Sequence, residues 1–401
     1  MTFSAIEKYP RTRFPIERMD GEVRVLHVLE ATLGGTLRYL ENMTAALTPS
    51  PIKFGLAYAT RRADHRLQPT LDLARRLGWK LFPVDMRREV HPASDVACAY
   101  SLTGAIRQFR PAILHCHSSK AGALGRIASC GVWPRPRVIY SPHALALAPH
   151  YLRIERTFRH LTHRFLAVSD SERDQLMELG LGDENSVGVV YPTIDTTVFA
   201  PRNQQVDRKA LALPDSPMLL GIGRMTQQKR PIDFLEILKL VRAEIPDTVG
   251  VWMGDGEHRE LFEQRALELD LGAHVRVTGW VKDVRPYIGA ASLVLSTSAF
   301  ESFGYIVPEA LSMERPVVAT RVCGTTDVLP SSLGDVLFEV GDTEDGARKC
   351  VTILSSRDVS QELGREGRKF VMNKFSQERM REGLLRFYSE TITPAPIERR
   401  A

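Results

Sequence analysis

At 401 residues the chain is long enough for two domains that each bury a core, and its 43% hydrophobic and 25% charged residues match an ordinary soluble protein. The net charge of +5 is uneven: residues 1–200 hold 26 Lys and Arg against 19 Asp and Glu, whereas residues 201–401 hold 27 against 29. A basic first half predicts anionic partners there, and the lack of any apolar run near ~20 residues argues against a membrane span.

In chain order, residues 1–20 carry Glu7, Lys8, Arg11, Arg13, Glu17 and Arg18 without an apolar stretch. They are expected to be a flexible extension and not a secretory signal. Val23–Leu29 is an apolar run suited to a buried parallel strand, followed by Gly34-Gly35-Thr36 and a helical pattern in Leu37, Leu40, Met43 and Leu47. Ile113–His115, Arg137–Tyr140 and Phe165–Ser169 read as further strands with helices between them, which implies a parallel sheet covered on both faces. Leu181–Pro214 lacks periodicity and holds Pro192, Pro201 and Pro214, as a linker would. The alternation then restarts with Met218–Ile222, a helix from about Pro231 to Ala243, and strands at Val249–Met253, Val275–Thr278, Leu293–Ser296, Val317–Thr320 and Val336–Phe338. A polar helix from Gln377 to about Ile392 has Met380, Leu384, Leu385 and Phe387 as its apolar positions. The expected organisation is therefore α/β: a first doubly wound domain at 21–195, a linker at 196–214, a second at 215–376, and a C-terminal helix and tail at 377–401. Two such domains are expected to bind ligand in a cleft at their strand C-termini.

Five scattered cysteines, Cys98, Cys116, Cys130, Cys323 and Cys350, form no Cys-x-x-Cys pair. This argues against a disulfide framework and for a reducing cytoplasm. His115-Cys-His117 has metal-ligand spacing, but without a third candidate plain packing is favoured.

Two segments carry chemistry. Glu301-Ser-Phe-Gly-Tyr-Ile-Val-Pro-Glu309 brackets a small-residue loop that enters a helix, with Pro308 in the first turn. Amides at a helix start favour phosphate, and flanking carboxylates fit uncharged hydroxyls attached to that phosphate. The same residues also fit an ordinary helix entry with Glu309 complementing the dipole. Gly221-Ile-Gly223-Arg224-Met-Thr-Gln-Gln-Lys229 ends a strand in glycines and sets two cations five residues apart. Both can reach one anion, the arginine as a planar fork and the lysine as a point charge. A dinucleotide fingerprint is disfavoured, because Thr226 stands where the third glycine belongs.

Together with Gly254-Asp255-Gly256, these motifs resemble family-four retaining glycosyltransferases of the GT-B fold (glycosyl transferases group 1). The N-terminal Gly34-Gly35, His117-Ser-Ser-Lys-Ala-Gly122 and Ser141-Pro-His143 resemble the branch that builds bacterial polysaccharides. The resemblance implies two Rossmann-like domains facing across a cleft, with a C-terminal helix crossing back to the first. It implies that Arg224 and Lys229 bind the donor diphosphate beside Gly223, Gly254 and Asp255. Glu309 would take the ribose hydroxyls, and Glu301 the transferred sugar, with amides near Phe303 and Gly304 assisting. Gly34 and Gly35 would close over the phosphates, Val281 would lie near the nucleobase, and His143 would line the sugar and acceptor site. His117, Ser118 and Lys120 fall on the acceptor side. Departures are Pro231 after Arg230, Tyr191-Pro-Thr-Ile-Asp195 in place of a common Asn-Gly pair, and Asp327 where glutamate is frequent.

The implied reaction is front-face transfer from a nucleotide sugar, UDP-linked on family frequency, to a hydroxyl of a lipid-linked or polysaccharide intermediate. Glu301 positions the sugar and does not attack it. No metal and no cofactor are expected, since the two cations hold the leaving diphosphate. Alternatives are a non-catalytic nucleotide-sugar-binding protein of the same fold, or a phosphorylase or epimerase. Basic residues Arg153, Arg156, Arg159 and Arg164, at helical intervals beside Leu152, Phe158, Leu161 and Phe165, fit either peripheral contact with the inner face of an anionic membrane or a packed helix with a solvated face. Nucleic acid is not an expected partner.

Overall fold

The computed structural model describes residues 22–48, 50–61, 63, 65–145, 149–201, 208–211 and 213–393. The expected extension at 1–20, the end of the C-terminal tail and part of the expected linker lie outside them. The chain divides into two units: one comprises Met1–Ala167, Leu176–Val190 and Met380–Ala401, the other Val168–Gln175 and Tyr191–Arg379.

The first unit is built on a seven-stranded sheet of β1 (Arg24–Leu29), β2 (Lys53–Tyr58), β3 (Lys80–Pro83), β4 (Ile113–His117), β5 (Arg137–Ser141), β6 (Arg164–Ala167) and β7 (Val187–Val189), in the order β3-β2-β1-β4-β5-β6-β7. All its pairings are parallel. The second unit carries β8 (Met218–Ile222), β9 (Val249–Met253), β10 (Val275–Gly279), β11 (Leu293–Ser296), β12 (Val317–Thr320) and β13 (Leu337–Phe338), in the order β10-β9-β8-β11-β12-β13. Its strands are parallel as well. In each sheet the order reverses once beside the first strand, at β1/β4 and β8/β11, the doubly wound pattern in which ligands collect at strand C-termini. Helices cover both faces, so Val25, Leu26, Val28 and Leu29 in β1 and Met218, Leu219 and Leu220 in β8 are all buried.

The helix Gln377–Ile392 joins the first unit from Met380 onward. It buries the expected Met380, Leu384, Leu385 and Phe387, together with Tyr388. Tyr388 lies 3.0 Å from His115 Nδ1, and Arg164 sits 4.0 Å above the Phe387 ring while donating to Glu390.

Three strands escape the sequence patterns. β3 is short, half-exposed and ends in Pro83, as an edge strand does. β2 is fully apolar over five residues but is interrupted by Gly55. β7 is a three-residue Val-Gly-Val segment inside the stretch read as linker. The basic segment also differs from its helical reading. The helix spans Pro149–Phe158, a 3-10 turn follows at Arg159–Leu161, and Phe165 lies in β6. The buried residue of that helix is Glu155, not an apolar one. Its carboxylate accepts from Arg126 at 2.8 Å and from the Tyr140 hydroxyl at 3.0 Å, so the helix is anchored by a buried ion pair.

Candidate active site

In the second unit the C-terminal ends of adjacent strands gather the diphosphate and hydroxyl-binding candidates. Gly223 follows β8 with φ 154°, and Gly254 follows β9 with φ 131°. A Cβ on Gly254 would stand 2.1 Å from the Gly223 carbonyl oxygen, so only glycine lets these two turns touch. Backbone bonds fix the turns: Gly223 N–H to Met253 O (2.9 Å), Met225 N–H to Asp255 O (3.0 Å) and Gly254 N–H to Gly279 O (2.9 Å). Asp255 accepts from the Gly256 amide at 2.8 Å and faces Arg259 at 3.4 Å. Val281 is half-buried, just past β10 and beside exposed Trp280.

Arg224 is exposed on this edge, and no carboxylate among the described residues pairs with it. Lys229, half-buried, forms an ion pair with Glu301. The Ser298 hydroxyl donates to the same carboxylate at 2.8 Å. Thr297, two residues before Ala299, donates to the carbonyls of Lys229 (2.9 Å) and Arg230 (3.0 Å), and the Ala299 amide donates to Gln228 O (2.7 Å). The loops after β8 and β11 are thereby stitched into one surface. Arg230, at φ 45°, turns the chain into the helix Pro231–Glu244 and grips Asp233 with two bonds of 2.6 and 3.0 Å. Pro231 at the first helical position thus lacks only an N–H that the helix start leaves unused.

Past Glu301, Phe303 is buried and Gly304 turns with φ 69° into the helix Ile306–Ser312. Glu309 lies in its first turn and is 6% exposed, so its carboxylate is buried at the helix start. Tyr191 and Asp327, two of the departures from the family pattern, meet: the Tyr191 hydroxyl lies 2.9 Å from Asp327 Oδ1 and 2.7 Å from Asp170 Oδ2. Burial and these carboxylates push the phenol's pKa well up.

The remaining candidates sit in the first unit. Gly34 and Gly35 are exposed at the start of the helix Gly34–Ala46, whose first turn has no acidic residue. Ser118 is at φ 70°, and its hydroxyl is buried without a hydrogen-bond partner. Lys120 is held by Asp95 and by the Glu89 carbonyl at 2.9 Å. His117 is 1% exposed, with Nε2 3.0 Å from His27 Nδ1 and Nδ1 3.0 Å from His143 Nε2. It stands behind His143, which is half-buried. The reading that His115 and His117 lack a third partner is corrected: His27 on β1 brings a ring nitrogen within 4.8 Å of theirs. The sequence pattern missed His27 because it lies in a hydrophobic run 88 positions away from His115. Desolvation lowers the pKa values of His27 and His143 to about 3 and takes His115 and His117 well below 6.5.

Residues 216–356 match the family model described as glycosyl transferases group 1, and residues 33–198 match glycosyltransferase family 4. The lipopolysaccharide core biosynthesis glycosyltransferase LpsE of Rhizobium meliloti is 28% identical over 45% of this chain and 52% of its own length, so the match spans about half of that relative. The Escherichia coli UDP-Gal:alpha-D-GlcNAc-diphosphoundecaprenol alpha-1,3-galactosyltransferase is 24% identical over 72% of this chain and 78% of its own. Among solved structures, Anabaena Alr3699/HepE in complex with UDP and glucose superposes with a TM-score of 0.77 at 17% identity, covering 92% of this chain and 100% of that one. The chain thus carries a glycosyl transferases group 1 domain and a glycosyltransferase family 4 domain, on a fold shared with GT-B glycosyltransferases.

Proposed function

We propose that this chain moves a sugar from a nucleotide-sugar donor, a UDP-sugar first, to a hydroxyl of a lipid-linked or polysaccharide intermediate, with retention at the anomeric carbon. The observation that carries this reading is the grouping of Arg224, Lys229, Glu301 and buried Glu309 on one strand edge of the second unit. Relatives point the same way: the E. coli enzyme is named for UDP-Gal and a diphosphoundecaprenol acceptor, and the HepE structure holds UDP and glucose.

Arg224 and Lys229 take the diphosphate and stabilise it as the glycosidic bond to phosphate breaks, which removes the need for a metal. Glu309 accepts from the ribose hydroxyls, and Glu301 orients the transferred sugar. The leaving phosphate oxygen takes the proton of the acceptor hydroxyl on the face it has just vacated. Gly34, Gly35 and His143 of the first unit are further candidates for ligand contact, with Ser118 and Lys120 as acceptor candidates. Titration of the chain, in EDTA, with UDP-, GDP- and ADP-sugars tests the reading. Saturable binding of one nucleotide class supports it, and binding of none rejects it.

Peripheral contact with the inner leaflet of a membrane is part of the proposal. No helix among the described residues is long and apolar enough to cross a membrane. The helix Pro149–Phe158 exposes Tyr151 and Ile154 at 41% each beside exposed Arg153 and Arg156, a composition suited to an anionic interface. Flotation with phosphatidylglycerol vesicles at low salt is expected to carry the chain upward, and its absence would remove this element.

A further inference from the structure

β1 and β4 run side by side, with His27 opposite His115 and Leu29 opposite His117. His27, His115 and His117 therefore share one face of the sheet. From His27 the rings continue in a line: His27 Nδ1 to His117 Nε2 at 3.0 Å, then His117 Nδ1 to His143 Nε2 at 3.0 Å. His143 ends that line just past β5. Its φ of 54° and the 83° of Ala144 are left-handed values that side-chain-bearing residues adopt only under tertiary constraint. Tyr39 packs edge-on against the His143 ring at 4.6 Å. At the other end, His27 Nε2 is buried without a hydrogen-bond partner.

A neutral imidazole has one N–H and one bare nitrogen, so two proton arrangements satisfy this line. If His143 donates inward from Nε2, His117 must donate from Nε2 to His27. His27 then carries its proton on Nε2, an orphaned N–H in the interior. If instead His27 donates from Nδ1, His117 donates from Nδ1, and His143 receives at Nε2 and keeps its proton on Nδ1. The interior end is then only a bare acceptor nitrogen. Buried donors without acceptors are the rarer defect in folded proteins, so the second arrangement is favoured.

We propose that the His27–His117 pair fixes His143 as a neutral Nδ1–H donor, so that His143 recognises a hydroxyl or phosphate oxygen of the ligand and does not accept a proton from it. His27 and His117 are positioning residues. Burial keeps all three rings uncharged near neutrality, which supports a fixed hydrogen-bond line over a proton store. A metal trio of His27, His115 and His117 fits less well. Both nitrogens of His115 are already matched, to Tyr388 at 3.0 Å and Ser141 at 2.9 Å, and both of His117 to histidines, so an ion would have to displace several existing bonds.

The ligand role of His143 rests on the reading under Proposed function, but the tautomer belongs to the ligand-free chain and is measured on it. The full chain labelled with 15N-histidine, examined by long-range 1H–15N correlation at neutral pH, is expected to show His27, His117 and His143 all as Nδ1–H. In His117→Phe, His143 should revert to the Nε2–H form that predominates in free histidine. The kcat should fall about tenfold, the worth of one oriented hydrogen bond, with KM for the donor little changed. Native His143 as Nε2–H, or a His143 tautomer indifferent to His117→Phe, would overturn the proposal. Stoichiometric zinc shifting His27, His115 and His117 together would overturn it in favour of a metal site. If His117→Phe does not fold, the native spectrum alone decides. Correct tautomers in a chain that binds no nucleotide sugar would sink the transferase reading and leave the relay standing.

Discussion

Lys229 and Glu301, 72 residues apart in sequence, form an ion pair that joins the loop after β8 to the loop after β11. Half of the proposed diphosphate clamp is thus held by the carboxylate assigned to the transferred sugar, while Arg224 stands exposed. The two cations therefore differ in what their removal does.

Arg224→Ala is expected to cut turnover by about 10²–10³, the scale of one preorganised electrostatic contact, and to leave unfolding free energy within about 0.5 kcal/mol of the native chain. Lys229→Ala should cut turnover as well, and should also destabilise by about 1–3 kcal/mol because Glu301 loses its partner in a half-buried loop. Urea unfolding beside steady-state rates separates them. Near-normal turnover of folded Arg224→Ala contradicts the clamp.

The two glutamates are separable by ligand. Glu309→Gln should weaken free nucleoside diphosphate by about tenfold, because it loses charge-assisted bonds to ribose. Glu301→Gln should leave that affinity unchanged and lower turnover with the sugar donor. Calorimetric titration of UDP against each variant checks the division, and equal losses would refute it.

The buried histidines make stability depend on pH in a stated direction. His27, His115 and His117 have folded pKa values lowered from an ordinary 6.5. The unfolded chain therefore binds more protons below that value, and stability is complete above about pH 6.5 and lost as pH falls. Each ring costs on the order of 1 kcal/mol by pH 5.5. The urea midpoint should drop steeply between pH 7 and 5.5. A midpoint that is flat over that range would show the rings to be solvated.

Tyr191 and Asp327 supply a fourth test. Tyr191→Phe removes the hydroxyl shared by Asp170 and Asp327 and should cost about 1–2 kcal/mol. A double-mutant cycle with Asp327→Asn should show coupling of about 1 kcal/mol, whereas additive effects would mean that the two positions vary independently.

Strands with continuous apolar runs, such as Met218–Ile222 and Val249–Met253, were legible to the residue because burial on both faces leaves no polar alternation. β3 and β7 were not, since edge strands are short and half-solvated and are defined by their neighbours' hydrogen bonds. At the site, the spacing of Arg224 to Lys229 and of Glu301 to Glu309 was visible because each lies in one loop. The Lys229–Glu301 pair, the Tyr191–Asp327 contact and the His27–His117–His143 line were not visible. Each joins loops or strands from distant parts of the chain, and only the sheet order brings them together. The burial of Glu155 was not legible for a related reason: it depends on Arg126, 29 residues earlier in the chain.

The most direct test is product analysis of the native chain, in excess EDTA, with the donor that binds and a hydroxyl acceptor. The account predicts release of nucleoside diphosphate and a new glycoside whose anomeric configuration by NMR is that of the donor. Release of sugar phosphate, an inverted anomer, or activity abolished by EDTA and restored by magnesium would contradict it.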